Sequence, residues 1–123
     1  MATALAAARL GIGAGLWLAP KQALGALGFD RLDSGGLALA RIAATRDLVL
    51  GAWQLAGAAQ ERERRRVSLA CAVSDGGDAL AFWLSLGDDA TRRAGRRGLA
   101  AAIPAALVGL WLARQSDDDR RSN

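Results

Sequence analysis

Six ionisable side chains lie inside stretches that are otherwise apolar, and their types and spacing make them the candidates for chemistry in this chain. They are Arg9, Arg41, Arg46, Asp47, Asp75 and Asp78. Three cations meet three anions, so their formal charges sum to zero. Arginine suits such surroundings because its planar fork donates to two carboxylate oxygens at once and keeps its charge. We therefore expect a buried network of ion pairs.

The two aspartates of the third apolar stretch have a helical spacing. Asp75 and Asp78 are three residues apart, which places both carboxylates on one face of a helix. Gly76 and Gly77 lie between them and leave room for a neighbouring helix, so an arginine from the first or second stretch can approach both. The network has two interpretations: it fixes the register of the helices, or it lines a site for a proton, an ion or a polar head group.

Neighbouring arginines bear on that choice, because they hold aspartate side chains ionised over a wide pH range. A proton carrier needs a carboxylate that protonates readily, so the pattern argues against a proton relay. Binding of an anion or a head group by an incompletely paired arginine stays open.

Four apolar segments organise the chain, and each is near the roughly 20 residues that cross a bilayer as a helix. They cover residues 2–19, 35–59, 67–87 and 98–113. Charged connections separate them at residues 20–34, 61–66 and 88–97, and a polar tail covers residues 115–123. We expect an all-α protein, an up-down bundle of four transmembrane helices in one domain, residues 1–114.

The charged residues inside the apolar segments must pair with one another if those segments are to span a membrane. A lone charge in the middle of a spanning helix costs roughly 2.5 to 3.5 kcal/mol, and the second segment carries three. The network is expected to link the first three helices, with the fourth, which contains Pro104 and no interior charge, as a cover.

Tryptophans and glycines give two further indications. Each segment has one tryptophan shortly before its C-terminal end, which in an up-down bundle puts two at each membrane interface as an aromatic belt; filling of a soluble core is the alternative. Gly11, Gly13 and Gly15 include a Gly-x-x-x-Gly spacing, which permits close approach of another helix. The expected interfacial anchors are Trp17, Trp53, Trp83 and Trp111.

Composition excludes several classes of function. The chain has no His and no Tyr, and Cys71 is its only cysteine, which argues against His-ligated haem, the usual zinc sites, an internal disulfide and Ser/His or Cys/His nucleophiles. We expect no enzymatic activity, no cofactor and no metal, and we expect Cys71 to be a small packing residue. We also expect the first helix to be retained, because Arg9 interrupts its apolar stretch and no basic residue precedes it.

Basic residues outnumber acidic ones by 16 to 12, but their placement argues against nucleic acid as a partner. Most surplus arginines lie in short runs between apolar segments, where anionic lipid head groups are the natural counter-charge. We expect a lipid bilayer, the cell (plasma) membrane, as the surroundings. In an up-down bundle seven cations share a side with the termini against six opposite, which favours cytoplasmic termini.

The order of these features resembles a known pattern: Arg9, then Pro20 closing the first helix, then Arg41 followed by Thr45-Arg46-Asp47-Leu48, and Asp75-x-x-Asp78 in the third helix. The chain looks like the small bacterial and fungal membrane family catalogued as domain of unknown function 4267, within the DoxX-like group of four-helix membrane proteins. The resemblance implies an integral membrane protein. Some members of the wider group are similar to subunits that accompany redox enzymes acting on quinones or sulfur compounds.

Three functions follow as alternatives. The first is a non-catalytic accessory or interaction subunit that binds another membrane protein or a second copy of itself. The second is a small carrier or binding module for an ion, a lipid head group or a quinone, using the six interior charged residues. The third is a soluble four-helix protein whose apolar faces pair in a homo-oligomer.

Overall fold

The computed structural model describes residues 2–29 and 32–121, with side chains up to residue 115. This part of the chain is all-helical, as expected, but it contains five α-helices where the sequence predicted four. Two short 3-10 turns, Gly57–Ala59 and Ser85–Gly87, follow the third and fourth helices. The helices are α1 (Ala2–Leu18), α2 (Pro20–Leu27), α3 (Ser34–Ala56), α4 (Glu61–Leu84) and α5 (Arg92–Arg121).

Helix α2 was not predicted from the sequence, where residues 20–34 were interpreted as a charged connection. Pro20 does close α1, but it also opens α2, since a proline in the first helical turn loses no hydrogen bond. The two helices meet at an angle of 118°. Helix α2 ends at Leu27, and the next residue, Gly28, has a φ of 100°, the left-handed conformation that glycine adopts after helix ends. The Arg97 Nη1 atom of α5 donates to the Ala26 carbonyl oxygen over 2.8 Å and ties α2 to the bundle.

Two of the expected connections are shorter than predicted. The charged run from Glu61 to Arg66 forms the first turns of α4, where Glu61 and Glu63 lie at the positive end of the helix dipole. Helix α5 begins at Arg92 and continues through most of the expected polar tail to Arg121. The last two residues of that tail, 122 and 123, lie outside the described residues.

The long helices pack as two antiparallel pairs, α1 with α3 and α4 with α5, and contacts between the pairs are sparse. Glycines permit the close approach within the first pair. A Cβ atom on Gly13 would lie 2.8 Å from Leu48 Cγ, and one on Gly51 would lie 2.9 Å from Leu10 Cγ. In the second pair, a Cβ on Gly109 would lie 3.1 Å from the Cβ of Ala72.

The Gly-x-x-x-Gly spacing is not what brings α1 against α3. Gly11 and Gly15, which form that spacing, have open space where a side chain would lie. Gly13, midway between them in sequence, is buried against α3. Two residues along a helix turn the direction of a side chain by about 200°, so the contact face is opposite the one that the motif indicated.

Replacing Gly13 with Val is expected to destabilise the α1–α3 pair by about 1 to 3 kcal/mol, because the added atoms must displace Leu48 and the Ala44 backbone. The thermal midpoint in a fixed detergent measures the effect. Gly11→Val is the matched control, since it makes the same change in the same helix where space is open. Equal midpoints for the two variants would contradict this packing.

Two helical segments within the described residues, Glu61–Gly87 and Arg92–Gln115, are long and apolar enough to cross a membrane. Helices α1 and α2 meet the same standard only when taken together as one bent span. Helix α3 is not among these segments, since Arg41, Arg46 and Asp47 lie in its middle. By length and composition, residues 2–29 and 32–121 therefore contain two or three candidate spans.

Candidate binding site between the helix pairs

An ion-pair network joins the two helix pairs at the middle of the bundle. Arg9 of α1 pairs through Nη2 with Asp75 of α4, and its Nη1 atom lies 3.5 Å from Asp47 Oδ1 of α3. These three residues are buried, with 6% of Arg9, 8% of Asp47 and 6% of Asp75 exposed. Arg9 therefore holds carboxylates from both helix pairs at once.

The network continues through Arg46 to the second carboxylate of α4. Arg46 donates to both oxygens of Asp78, over 2.7 Å from Nη1 and 2.7 Å from Nη2. Its Nη2 atom also donates to Asp47 Oδ1 over 3.2 Å. The signs alternate along one chain of contacts, so every cation has two carboxylate neighbours. The members in order are Asp75, Arg9, Asp47, Arg46 and Asp78.

Arg41 does not join this network, which corrects the expectation for that residue. It is exposed on the outer side of α3, and its guanidinium lies 6.0 Å from the centre of the Trp17 ring. The reason is helical geometry: six residues turn about 600°, which leaves Arg41 about 120° around the helix from Asp47.

The charge of the site changes with this correction. With Arg41 outside, the network holds two guanidinium groups and three carboxylates, a formal sum of −1 in place of the expected zero. A further anion placed beside these residues would meet net repulsion, which is strong in surroundings of low dielectric constant.

A cavity of about 1030 Å³ lies beside the network, between the helix pairs. That volume is at the upper end of the range for small-molecule sites. Its walls are mostly apolar and come from all five helices, and the network forms its polar part together with Asp33 at the start of α3. Apolar residues of the wall include Leu5, Ile12, Leu16, Leu24, Leu39, Phe82 and Ala101.

Two nitrogen atoms of the network are buried without a hydrogen-bond acceptor in the described part of the chain. They are the Nε atoms of Arg9 and Arg46, and both residues line the cavity. A buried donor without a partner costs about 1 to 3 kcal/mol.

Three polar residues of this region were not predicted from the sequence. Asp33 caps α3 by accepting a hydrogen bond from the Gly36 amide over 2.7 Å, and an aspartate before Ser-Gly-Gly and an apolar run is a signal for such a cap. Gln54 and Ser68 are 3% and 1% exposed, and their side-chain polar atoms have no partner among the described residues. Gln54 follows Asp47 by seven residues, which places both on one face of α3.

The tryptophans and the cysteine take the following positions. Trp17 and Trp83 lie at the end of the bundle that α2 covers, and Trp53 and Trp111 lie towards the opposite end. All four are exposed. Cys71 is fully buried in α4 with a free thiol, so it occupies the packing position expected for it.

Comparison with known proteins gives no assignment: no family model, no curated protein and no solved structure matches this chain.

Proposed function

We propose that this protein is a small multi-pass integral membrane protein, without catalysis of its own, that binds an amphiphilic molecule in the cavity between its helix pairs. The cavity carries the proposal, because it combines an apolar wall with a polar end that the ion-pair network forms. The proposal selects the binding module from the three functions that the sequence left open.

Apolar side chains on the outer surface support the membrane placement. Large apolar residues are exposed on α1, α3, α4 and α5, among them Leu18 at 87% and Val73 at 75%. Soluble proteins rarely expose apolar surface on this scale. A soluble homo-oligomer would have to bury the exposed apolar side chains of all four helices in its interfaces. The hydrocarbon core of a bilayer would surround the side chains of all four helices. We propose that α1, α3, α4 and α5 cross the cell membrane in alternating directions, with both termini cytoplasmic. Helix α3, which composition alone does not mark as a span, would cross because Arg46 and Asp47 are paired inside the bundle, and α1 would cross as the longer part of the bent α1–α2 span.

The net negative charge of the network favours a neutral head group over an anionic one in the bound molecule. Its excess carboxylate disfavours an anionic head, which revises the expectation that an arginine would bind an anion. A neutral head with a carbonyl or hydroxyl oxygen can accept from the guanidinium of Arg46, whose side chain is 36% exposed and lines the cavity. Quinones and lipid alcohols have this chemistry, and quinone binding accords with the resemblance to the DoxX-like group.

The test is made on protein that remains in carbonate-washed membranes, since release by carbonate would itself contradict the membrane placement. Purified protein in detergent is titrated with a decyl benzoquinone and, separately, with decanoate, which has a similar chain and an anionic head. We expect only the quinone to raise the thermal midpoint, because a ligand at 100 times its Kd stabilises by about 2.7 kcal/mol.

A matched pair of variants shows whether the cavity is the site. Ala101→Trp should fill part of the cavity and remove the response to the quinone, whereas Ala100→Trp makes the same change on the adjacent residue, which does not line the cavity. Equal responses from the two variants, or a stronger response to decanoate, would refute cavity binding. Purification at fixed stoichiometry with another protein and no quinone response would favour the accessory role instead.

A further inference from the structure

Arg41 lies on an outward-facing, apolar part of α3. Ile42 and Val49, which lie within about 100° of it around the helix, are 66% and 59% exposed. If the chain spans a membrane as proposed, this surface faces lipid. A guanidinium there is costly unless it pairs with an anion or its long side chain reaches the interface.

The protein itself supplies no anion to this residue. Among the residues that the structure describes, no ion pair involves Arg41. Its guanidinium lies 6.0 Å from the centre of the Trp17 ring, at the limit of a cation–π contact. Among the described residues, no hydrogen bond is donated by the Arg41 guanidinium.

The aromatic platform beneath Arg41 is braced between two helices. Trp17 Nε1 of α1 donates to Thr45 Oγ1 over 3.0 Å, and Thr45 Oγ1 donates to the Arg41 carbonyl oxygen over 2.9 Å. Both partners lie on α3, four residues apart. The ring is therefore held in place one turn from the backbone of the cation that it contacts.

Depth places this group within reach of lipid head groups. Arg41 is seven residues from the start of α3 at Ser34, or about 10 Å along the helix. Trp17 is next to the last residue of α1, where an interfacial tryptophan is expected. Lys21, which is exposed, follows at the start of α2 and adds a second cation at the same end of the bundle.

We propose that Arg41, held over Trp17, binds the phosphate of an anionic lipid at the membrane interface, with Lys21 as the second cation. Arginine donates to phosphate through two parallel hydrogen bonds, which a lipid phosphodiester accepts. The site is separate from the cavity. It shares only the membrane placement with the function proposed above.

The experiment compares purified protein in nanodiscs of mixed phosphatidylglycerol and phosphatidylcholine, with the retained lipids counted by native mass spectrometry. We expect wild-type protein to retain phosphatidylglycerol preferentially and Arg41→Gln to reduce that preference more than about tenfold, the effect of losing hydrogen bonds to a charged group. Loss of one basic residue near an anionic surface without such bonds accounts for at most about fivefold. Arg96→Gln is the matched control, since it removes the same charge from an exposed residue at the same end of the bundle.

Two further variants keep the charge and test the geometry. Trp17→Leu removes the platform and should weaken the preference, whereas Arg41→Lys keeps a cation without the bidentate fork and should retain part of it. An unchanged preference in Arg41→Gln, or equal losses in Arg41→Gln and Arg96→Gln, would overturn the proposal. Ala101→Trp should retain the lipid preference while losing the quinone response, so failure of one site is distinguishable from failure of the other.

Discussion

Arg9→Gln is expected to prevent normal accumulation of the protein in membranes. The change leaves Asp75 buried without a cation and leaves Asp47 with Arg46 alone. Removing one partner of a buried ion pair costs about 3 to 5 kcal/mol, which is a large share of the stability of a small domain. Yield after gentle solubilisation and the thermal midpoint in one detergent measure the loss.

Two comparisons identify the cause of that loss. Arg41→Gln makes the same chemical change outside the network and should accumulate as wild type does. Arg9→Met combined with Asp75→Leu should recover most of the yield, because apolar residues of similar volume often replace a buried ion pair without a net cost. Wild-type yield from Arg9→Gln alone would show that the pair contributes little to stability.

Asp78→Arg is expected to have the second large effect, because it sets a new cation against Arg46, which now binds both oxygens of that carboxylate. Two guanidinium groups would then face each other between helix pairs that share few other contacts. We expect little or no folded protein, measured as the monodisperse fraction in size-exclusion chromatography.

The reciprocal exchange tests whether the interaction or the residue matters. Arg46→Asp combined with Asp78→Arg restores opposite charges across the same helices, so folded protein should return. Asp89→Arg serves as the control for charge reversal, since the Asp89 side chain is 86% exposed in the turn before α5. An exchange variant as poorly folded as Asp78→Arg would argue against pairwise stabilisation.

The sequence predicted the helical class and all five members of the network, with Arg41 wrongly added as a sixth, because charge inside an apolar helix is costly and its compensation leaves a recognisable pattern. Arg9, Arg46, Asp47, Asp75 and Asp78 do meet in the structure. The spacing of the residues could also have excluded Arg41 from the network, because its position around α3 differs from that of Asp47 by about 120°.

Other features depend on contacts between helices, which the residue pattern of a single sequence does not specify. Pro20 ends one helix and begins another, and a proline is compatible with both positions. Three glycines of α1 look equivalent in sequence, but only Gly13 faces α3. The cavity could not be predicted from the sequence, because it arises from the sparse contact between two helix pairs and no residue type indicates such a gap.

The bend between α1 and α2 determines how a molecule would travel to the cavity. Leu24 and Leu27 of α2 line its wall, and the hydrogen bond from Arg97 holds α2 across that end of the bundle. Under the proposed placement, we expect a hydrophobic molecule to partition from water into the bilayer first and then to enter the cavity laterally. Its occupancy then follows its mole fraction among lipids, and diluting the aqueous phase at a constant lipid ratio should leave that occupancy unchanged.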